Sequence, residues 1–325
     1  MRLRGWVTLT LSLWGASLLA RSDVLGVSHQ QMTVGGRPAF LLGVSLFDAL
    51  GATPPRDEDL DRLREWGVDI VRVWAHWSAP LYGRDGAVTA EGRSRLTALV
   101  TRLRARGLLL ELVLLRPGQL QGQKFAVFSS DAARLHAVEE LTRLVKTDRD
   151  VLFDLYNEHD HPDGPISHAG ARTLRNAVKA IDPGRVVTIS STATHLITGE
   201  GRVGTREEQN LREEIAEVGV DLVAAHLPRT GDWDTATSPR IAALRGALER
   251  LGRPLPLYLD EENRSSPGAL LSPEAYVQAY EAARQAGASG WVFHTPAGFS
   301  LGDTPFLDAL TPNERTALAR LKKSR

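Results

Sequence analysis

The chain has 325 residues, with Lys plus Arg and Asp plus Glu balanced at 39 each, so it lacks the basic footprint of a nucleic-acid binder. Cysteine is absent, which excludes a disulfide framework and any thiolate metal site. The length fits one large domain or two small ones, because α/β barrels run well past the usual domain size.

The N-terminus is unlike the rest of the chain. Arg2 and Arg4 precede an apolar run from Trp6 to Ala20, followed by Arg21-Ser22-Asp23. A positive start, an apolar stretch and a small-residue end follow the order of a secretory signal peptide. A bilayer span would need roughly 20 apolar residues, more than this run supplies. Residues 1–20 are therefore expected to be a signal. The mature chain, 21–325, is expected to be secreted or periplasmic and to have no membrane span. An uncleaved anchor is the alternative, because Leu18 is large for the third position before a cut after Ala20.

Val27 to Pro38 alternates loosely around Gly35-Gly36, a turn dipeptide that predicts a short hairpin. A repeating unit of apolar run, loop and capped amphipathic helix then takes over. The spacing predicts strands at Ala39–Leu46, Asp69–Trp74, Leu108–Leu115, Val151–Tyr156, Val186–Ser190, Asp221–Ala225, Leu255–Asp260 and Gly290–Phe293. Helices are predicted between them: from Glu58 to Gly67, from Thr89 to Gly107, from Ser130 to Thr147 and over Gly170–Ile181. Thr205 with Glu208 predicts a capping box, as does Thr311 with Glu314. Ser238-Pro239 and Ser272-Pro273 each read as an N-cap followed by proline at the first helical position.

Eight short apolar strands alternating with eight helices imply a parallel sheet buried on both faces. A doubly wound open sheet would show the same alternation. The count of eight, and the absence of a Gly-rich phosphate loop after the first strand, favour a closed eight-stranded β/α (TIM) barrel. Nothing marks a linker, so the expectation is one barrel preceded by the hairpin.

In such a barrel the site is built at the C-terminal ends of the strands. There the second strand offers Arg72, Trp74, His76 and Trp77, and the fourth Asn157, Glu158, His159, Asp160 and His161. The sixth offers His226, the seventh Asp260, Glu261 and Glu262, and the eighth His294. Carboxylates at strands four and seven face one another across the mouth. Retaining hydrolysis of a glycosidic bond needs two carboxyl groups about 5–5.5 Å apart, one protonated and one ionised. A nearby cation such as Arg72 can separate their proton affinities.

Several segments resemble the clan A glycoside hydrolases, especially the cellulase-like enzymes of family five. Leu155-Tyr156-Asn157-Glu158 is similar to their strand-four motif, and Leu257-Tyr258-Leu259-Asp260-Glu261 to their strand-seven motif. Val34-Gly35-Gly36-Arg37-Pro38-Ala39-Phe40-Leu41-Leu42-Gly43-Val44 resembles the entry to their first strand, and Val68-Asp69-Ile70-Val71-Arg72-Val73-Trp74 their second. The resemblance implies a retaining enzyme acting on a β-linked oligo- or polysaccharide, without cofactor or metal. It makes Glu158 the acid/base and Glu261 the nucleophile. It also implies that Asn157 contacts the sugar 2-hydroxyl, that Arg72 supports the nucleophile and that His226 is an active-site histidine.

The chain also departs from that pattern. His226-Leu227-Pro228 lacks the tyrosine expected two positions after the histidine. Strand eight presents His294 where a tryptophan is usual, and strand three ends at Leu115-Arg116 instead of a histidine. Trp74, Trp77 and Trp233 fit either a sugar platform or packing beneath the rim. His294 fits either the substrate site or a hydrogen-bonded barrel interior. Asp154, which shares strand parity with Glu158, reads as a buried structural acid. Glu261 and Glu262 compete for one role, since alternation points them to opposite faces. Two other functions remain open: a sugar-binding barrel without turnover, and a metal-dependent hydrolase built on His159 and His161.

Overall fold

The computed structural model describes residues 24–117, 119–120, 123–124, 128–230, 232–266 and 268–321. The expected signal segment, 1–20, lies outside them. The architecture is an eight-position parallel β/α barrel. Its strands are Leu41–Ser45, Ile70–Trp74, Leu109–Val113 and Val151–Asp154, then Val187–Thr188 with Ser190–Ser191, Val223–Ala225, Leu257–Leu259 and Gly290–Phe293. Neighbouring strands pair in parallel in sequence order, and the eighth pairs with the first through Gly290–Leu41 to Phe293–Val44.

The fifth position closes the barrel in two halves. Val187–Thr188 pairs with strand four and Ser190–Ser191 with strand six. Asp154 holds the second half in place. Its Oδ2 accepts from Ser190 Oγ at 2.8 Å, and its Oδ1 from the Ser190 backbone N–H at 3.2 Å.

Period-two alternation sorts the strand residues. Leu42, Val44, Val71 and Val73 face outward into the core shared with the helices. Leu41, Ile70, Leu109, Leu152, Leu222 and Val292 face inward and fill the lower barrel. The N-terminal strands Leu25–Ser28, Gln31–Val34 and Arg37–Ala39 form a small antiparallel sheet. Gly35 and Gly36, with φ of 57° and 74°, make its second turn, and Leu25 and Met32 plug the barrel floor.

Several predicted caps are present. Thr89, Ser130 and Ser272 accept from the backbone three residues on at 2.9–3.1 Å. Thr311 and Glu314 bond reciprocally at 2.9 and 3.2 Å. Two predictions need correction. The helix Thr205–Glu213 is entered from Gly204, whose N–H donates to Glu207 at 3.0 Å, so the cap lies one residue earlier than Thr205–Glu208 implied. Ser238 is no N-cap, because the helix runs from Trp233 to Arg250 with Pro239 inside it. The extra first turn forms where Trp233 is buried against Tyr276, ring centroids 5.9 Å apart.

Candidate active site

Arg72, fully buried on strand two, organises the upper barrel. Its Nε donates to Glu111 Oε1 at 2.8 Å, and its Nη2 to Asp154 Oδ2 and Asn157 Oδ1, both at 2.8 Å. Nη1 reaches Glu261 Oε2 at 3.1 Å, and Asp260 Oδ2 lies 3.1 Å from Nη2. One guanidinium thus faces four carboxyl groups, and its planar fork is what lets it serve several at once. It cannot keep all of them charged. Burial pushes Glu111 up to about 8 against the pull of Arg72, with Asp260 and Asp154 adding to the rise. Burial raises Asp154 as well. Asp154 is therefore the buried structural acid that its parity suggested.

Strand four stops at Asp154, two residues before the predicted end, because Asp154 Oδ1 takes the Tyr156 N–H at 3.2 Å and turns the chain. That turn brings Asn157 back over Arg72. It leaves Glu158 at φ 50°, a left-handed backbone rare outside glycine, with its N–H on Ser190 Oγ at 3.2 Å. The Glu158 side chain is 19% exposed, and its Oε1 lies 3.2 Å from His226 Nδ1. The other His226 nitrogen faces Asp260 Oδ1 at 3.5 Å and Glu261 Oε2 at 3.9 Å. Burial alone would depress this histidine. The carboxylates of Glu261 and Asp260, and the hydrogen bond that the ring gives to Glu158, instead lift it to about 10, so it is an imidazolium at neutral pH.

Glu261 sits across the mouth, just past strand seven. Its Oε1 accepts from Arg229 Nη2 at 2.8 Å and lies 3.5 Å from His294 Nε2. Burial opposes its charge, yet His294, His226, Arg229 and Arg72 hold it well below the usual carboxylate range. His294 adds to that pull only when protonated. Its own burial keeps it well below the histidine range, so the permanent cations here are Arg229 and Arg72, with Arg264 at 3.8 Å from Oε1. Glu262 is buried and does not line the cleft, and burial pushes it up to about 7. Of the two neighbours, the cation-surrounded one is Glu261. One oxygen of Glu158, one nitrogen of His226 and one oxygen of Glu261 all lie within 4.8 Å of each other.

A cleft of about 540 Å³ opens above this pair, reached by Asn157, Glu158 and Glu261. Phe47, Trp74, Trp77 and Phe299 give it an aromatic wall; Phe47 stacks on Trp74 with centroids 3.6 Å apart, and Trp77 Nε1 donates to Phe299 O at 2.7 Å. Arg72, His226 and His294 lie beneath the cleft and touch its carboxylates rather than lining it. Trp233 is corrected outright. It is buried in the outer core against Tyr276, away from the cleft, because its helix begins one turn before the Ser-Pro signal.

Arg229, Arg264, Arg116, Phe47 and Phe299 line the cleft as well, none of them among the expected site residues. Arg229 follows the His226-Leu227-Pro228 departure directly, and that was the available signal. Tyr258, part of the strand-seven motif, donates its hydroxyl to Glu111 Oε2 at 2.7 Å under the site. The alternative metal arrangement built on His159 and His161 does not form. His161 lines the cleft, whereas His159 turns away from it and bonds Glu214 Oε1 at 3.1 Å. Glu158, His226 and Glu261 could together reach an ion, but arginines already supply the positive charge on Glu261.

No protein-family model matches the sequence, and no curated protein matches it. Solved structures do match in shape. The endo-1,4-β-mannanase from Rhizomucor miehei superposes with a TM-score of 0.64 at 12% identity, over 93% of this chain and 99% of that one. The β-mannanase from the blue mussel Mytilus edulis gives 0.60 at 16% identity, over 93% and 97%. A glycoside hydrolase family 5 enzyme from Prevotella bryantii B14 gives 0.60 at 13% identity, over 88% and 96%. At these identities the likeness establishes the fold, a barrel of the kind on which family 5 glycoside hydrolases are built.

Proposed function

We propose that the chain is a retaining glycoside hydrolase of β-linked oligo- or polysaccharides, with Glu261 as nucleophile and Glu158 as acid/base. The observation that carries this reading is the pairing itself. Two carboxyl groups from strands four and seven approach within 4.8 Å at the cleft floor, in unlike surroundings. A separation of about 5–5.5 Å between such groups suits double displacement and leaves no room for the interposed water of an inverting enzyme.

In the first step Glu261 attacks the anomeric carbon while Glu158 gives its proton to the departing glycosidic oxygen. The products are a glycosyl ester on Glu261 and a free hydroxyl on the leaving sugar. In the second step Glu158 takes a proton from water as that water attacks the anomeric carbon, which releases Glu261 as a carboxylate. Arg72 and Arg229 keep Glu261 ionised for attack. Asn157, fixed on Arg72, presents its amide at the cleft for a sugar hydroxyl. The aromatic wall suits the apolar faces of sugar rings. An exported site of action fits the N-terminal sequence, and among the described residues no helix is long and apolar enough to cross a membrane.

A second reading, a sugar-binding barrel without turnover, is favoured by one feature. Both oxygens of Glu261 are engaged by arginines, Oε2 by Arg72 and Oε1 by Arg229. One experiment separates the two readings. The protein is incubated with β-mannan and β-glucan oligosaccharides, and in parallel with 2-deoxy-2-fluoro glycosides bearing a good leaving group. Released sugar and a label on Glu261 by peptide mass spectrometry support the hydrolase. Saccharide affinity with neither product nor label supports the binder. A label on another residue removes Glu261 from the role.

A further inference from the structure

Behind the catalytic cleft lies a second cluster, which the proposed chemistry does not use. His159 comes from the loop after strand four, His168 opens the helix His168–Ile181, and His195 lies in the loop after strand five. One nitrogen from each lies within 4.8 Å of the others. Glu214 completes the group. It starts the π-helical turn Glu214–Val218, is fully buried, and places Oε1 at 3.1 Å from His159 Nε2 and 3.8 Å from His195 Nε2. π-turns recur at functional sites because they break the regular side-chain register.

Two of the three imidazoles are oriented alike, with Asn210 Nδ2 also 3.5 Å from His195 Nδ1. His168 Nδ1 faces Glu213 Oε2 at 3.0 Å, and His195 Nδ1 faces Asp160 Oδ2 at 3.2 Å. Their Nε2 atoms are buried without a hydrogen-bond partner, and so is Glu214 Oε2. Carboxylates on the outer nitrogens, with bare nitrogens inside, are the arrangement by which a protein orients imidazoles around a metal. Buried polar atoms left unpaired are otherwise costly. A tetrahedral ion held at about 2.0–2.1 Å from nitrogen would satisfy all of them after a small contraction of the cluster.

We propose that His159, His168, His195 and Glu214 form a closed four-ligand site for a structural zinc ion, which fastens the loop carrying Glu158 to the helices behind strands four and five. Three imidazoles and one carboxylate match zinc's preference for nitrogen and oxygen donors, and four protein ligands leave no open position for catalysis. None of the four lines the cleft. The ion's influence on the cleft passes through the peptide bond joining His159 to Glu158.

The test uses tag-free full-length protein, stripped with a chelator and titrated with zinc sulfate by calorimetry, with bound zinc counted by mass spectrometry. One zinc per chain is expected, with a rise in thermal midpoint of roughly 5 °C in excess zinc. His168→Ala, at a partly exposed position, should abolish stoichiometric binding, and Glu213→Gln should weaken it about 10–100-fold. His161→Ala should retain the full zinc count. The site is refuted if the wild-type chain takes up no zinc, if His168→Ala binds it as well as wild type, or if His161→Ala is the variant that loses it. None of these readouts depends on sugar hydrolysis, so the zinc site and the hydrolase assignment can fail separately.

Discussion

Arg72 Nη1 lies 3.1 Å from Glu261 Oε2, and the same guanidinium holds Asn157 Oδ1 at 2.8 Å through Nη2. One buried side chain therefore fixes the position of the proposed nucleophile and of the amide beside it. Their relative placement depends on the planar geometry of a single fork.

Arg72→Met should be severely destabilising, because it strands Glu111, Asp154 and Asp260 without their shared cation. Removing one partner of a buried ionic group costs about 3–5 kcal/mol, to be read as a lower urea midpoint. Arg72→Lys should fold better yet remain impaired, because an ammonium cannot reproduce the fork. If the two variants are equally stable and equally active, the organising role of Arg72 is wrong.

Glu158→Ala should slow hydrolysis of unactivated substrates by about 10²–10⁴-fold, the usual contribution of general acid catalysis. The loss in the first step should shrink with a leaving group that needs no proton. Comparing kcat/KM for alkyl and nitrophenyl glycosides measures this. An equal loss on both would assign Glu158 to binding instead.

Stability should decline as pH rises from about 5 to about 10. His226 has a folded value raised from 6.5 to about 10, so its contribution is complete below 6.5 and disappears as pH climbs through 10. Burial raises Glu111 to about 8 and Glu262 to about 7, and the stability linked to their bound protons is lost over 4.5–8 and 4.5–7. Glu261 acts in the opposite sense: its depressed value gives stability above 4.5 that is lost on acidification. Thermal midpoints across this range should peak on the acidic side of neutrality. His226→Asn should flatten the decline between pH 8 and 10, where the two acids have finished titrating. A wild-type midpoint that rises from pH 7 to pH 9 would overturn the assignment.

Trp77→Ala should raise KM or weaken saccharide binding with little effect on kcat, since the ring belongs to the cleft's aromatic wall and is not one of the paired carboxyl groups. Trp233→Ala should leave binding untouched and lower stability by about 3–5 kcal/mol, the cost of emptying a buried aromatic site. Calorimetric saccharide affinity and chemical denaturation, measured on both variants, separate the two tryptophans.

The barrel was legible because short apolar runs recur eight times between amphipathic helices, several of which carry recognisable caps. The Glu158–Glu261 pair was legible because strand ends locate a barrel's chemistry. What stayed hidden depends on tertiary packing. The Ser238-Pro239 signal is locally sound, but burial of Trp233 recruits another turn of helix ahead of it. Strand five looks continuous in sequence, yet its two halves bond to different neighbours. Arg229 and Arg264 arrive on loops whose shapes no periodicity encodes. His159, His168, His195 and Glu214 are spread over more than fifty positions, and only the fold brings them together.

The left-handed backbone at Glu158 has a consequence for how this chain could change. A non-glycine residue at φ 50° costs of order 1 kcal/mol or more, which glycine would not incur and asparagine would reduce. Glu158→Gly and Glu158→Asn are thus positioned to make the fold sturdier while removing the proposed acid. Stability and the proposed chemistry pull in opposite directions at this residue, and the side chain present is one that the backbone disfavours.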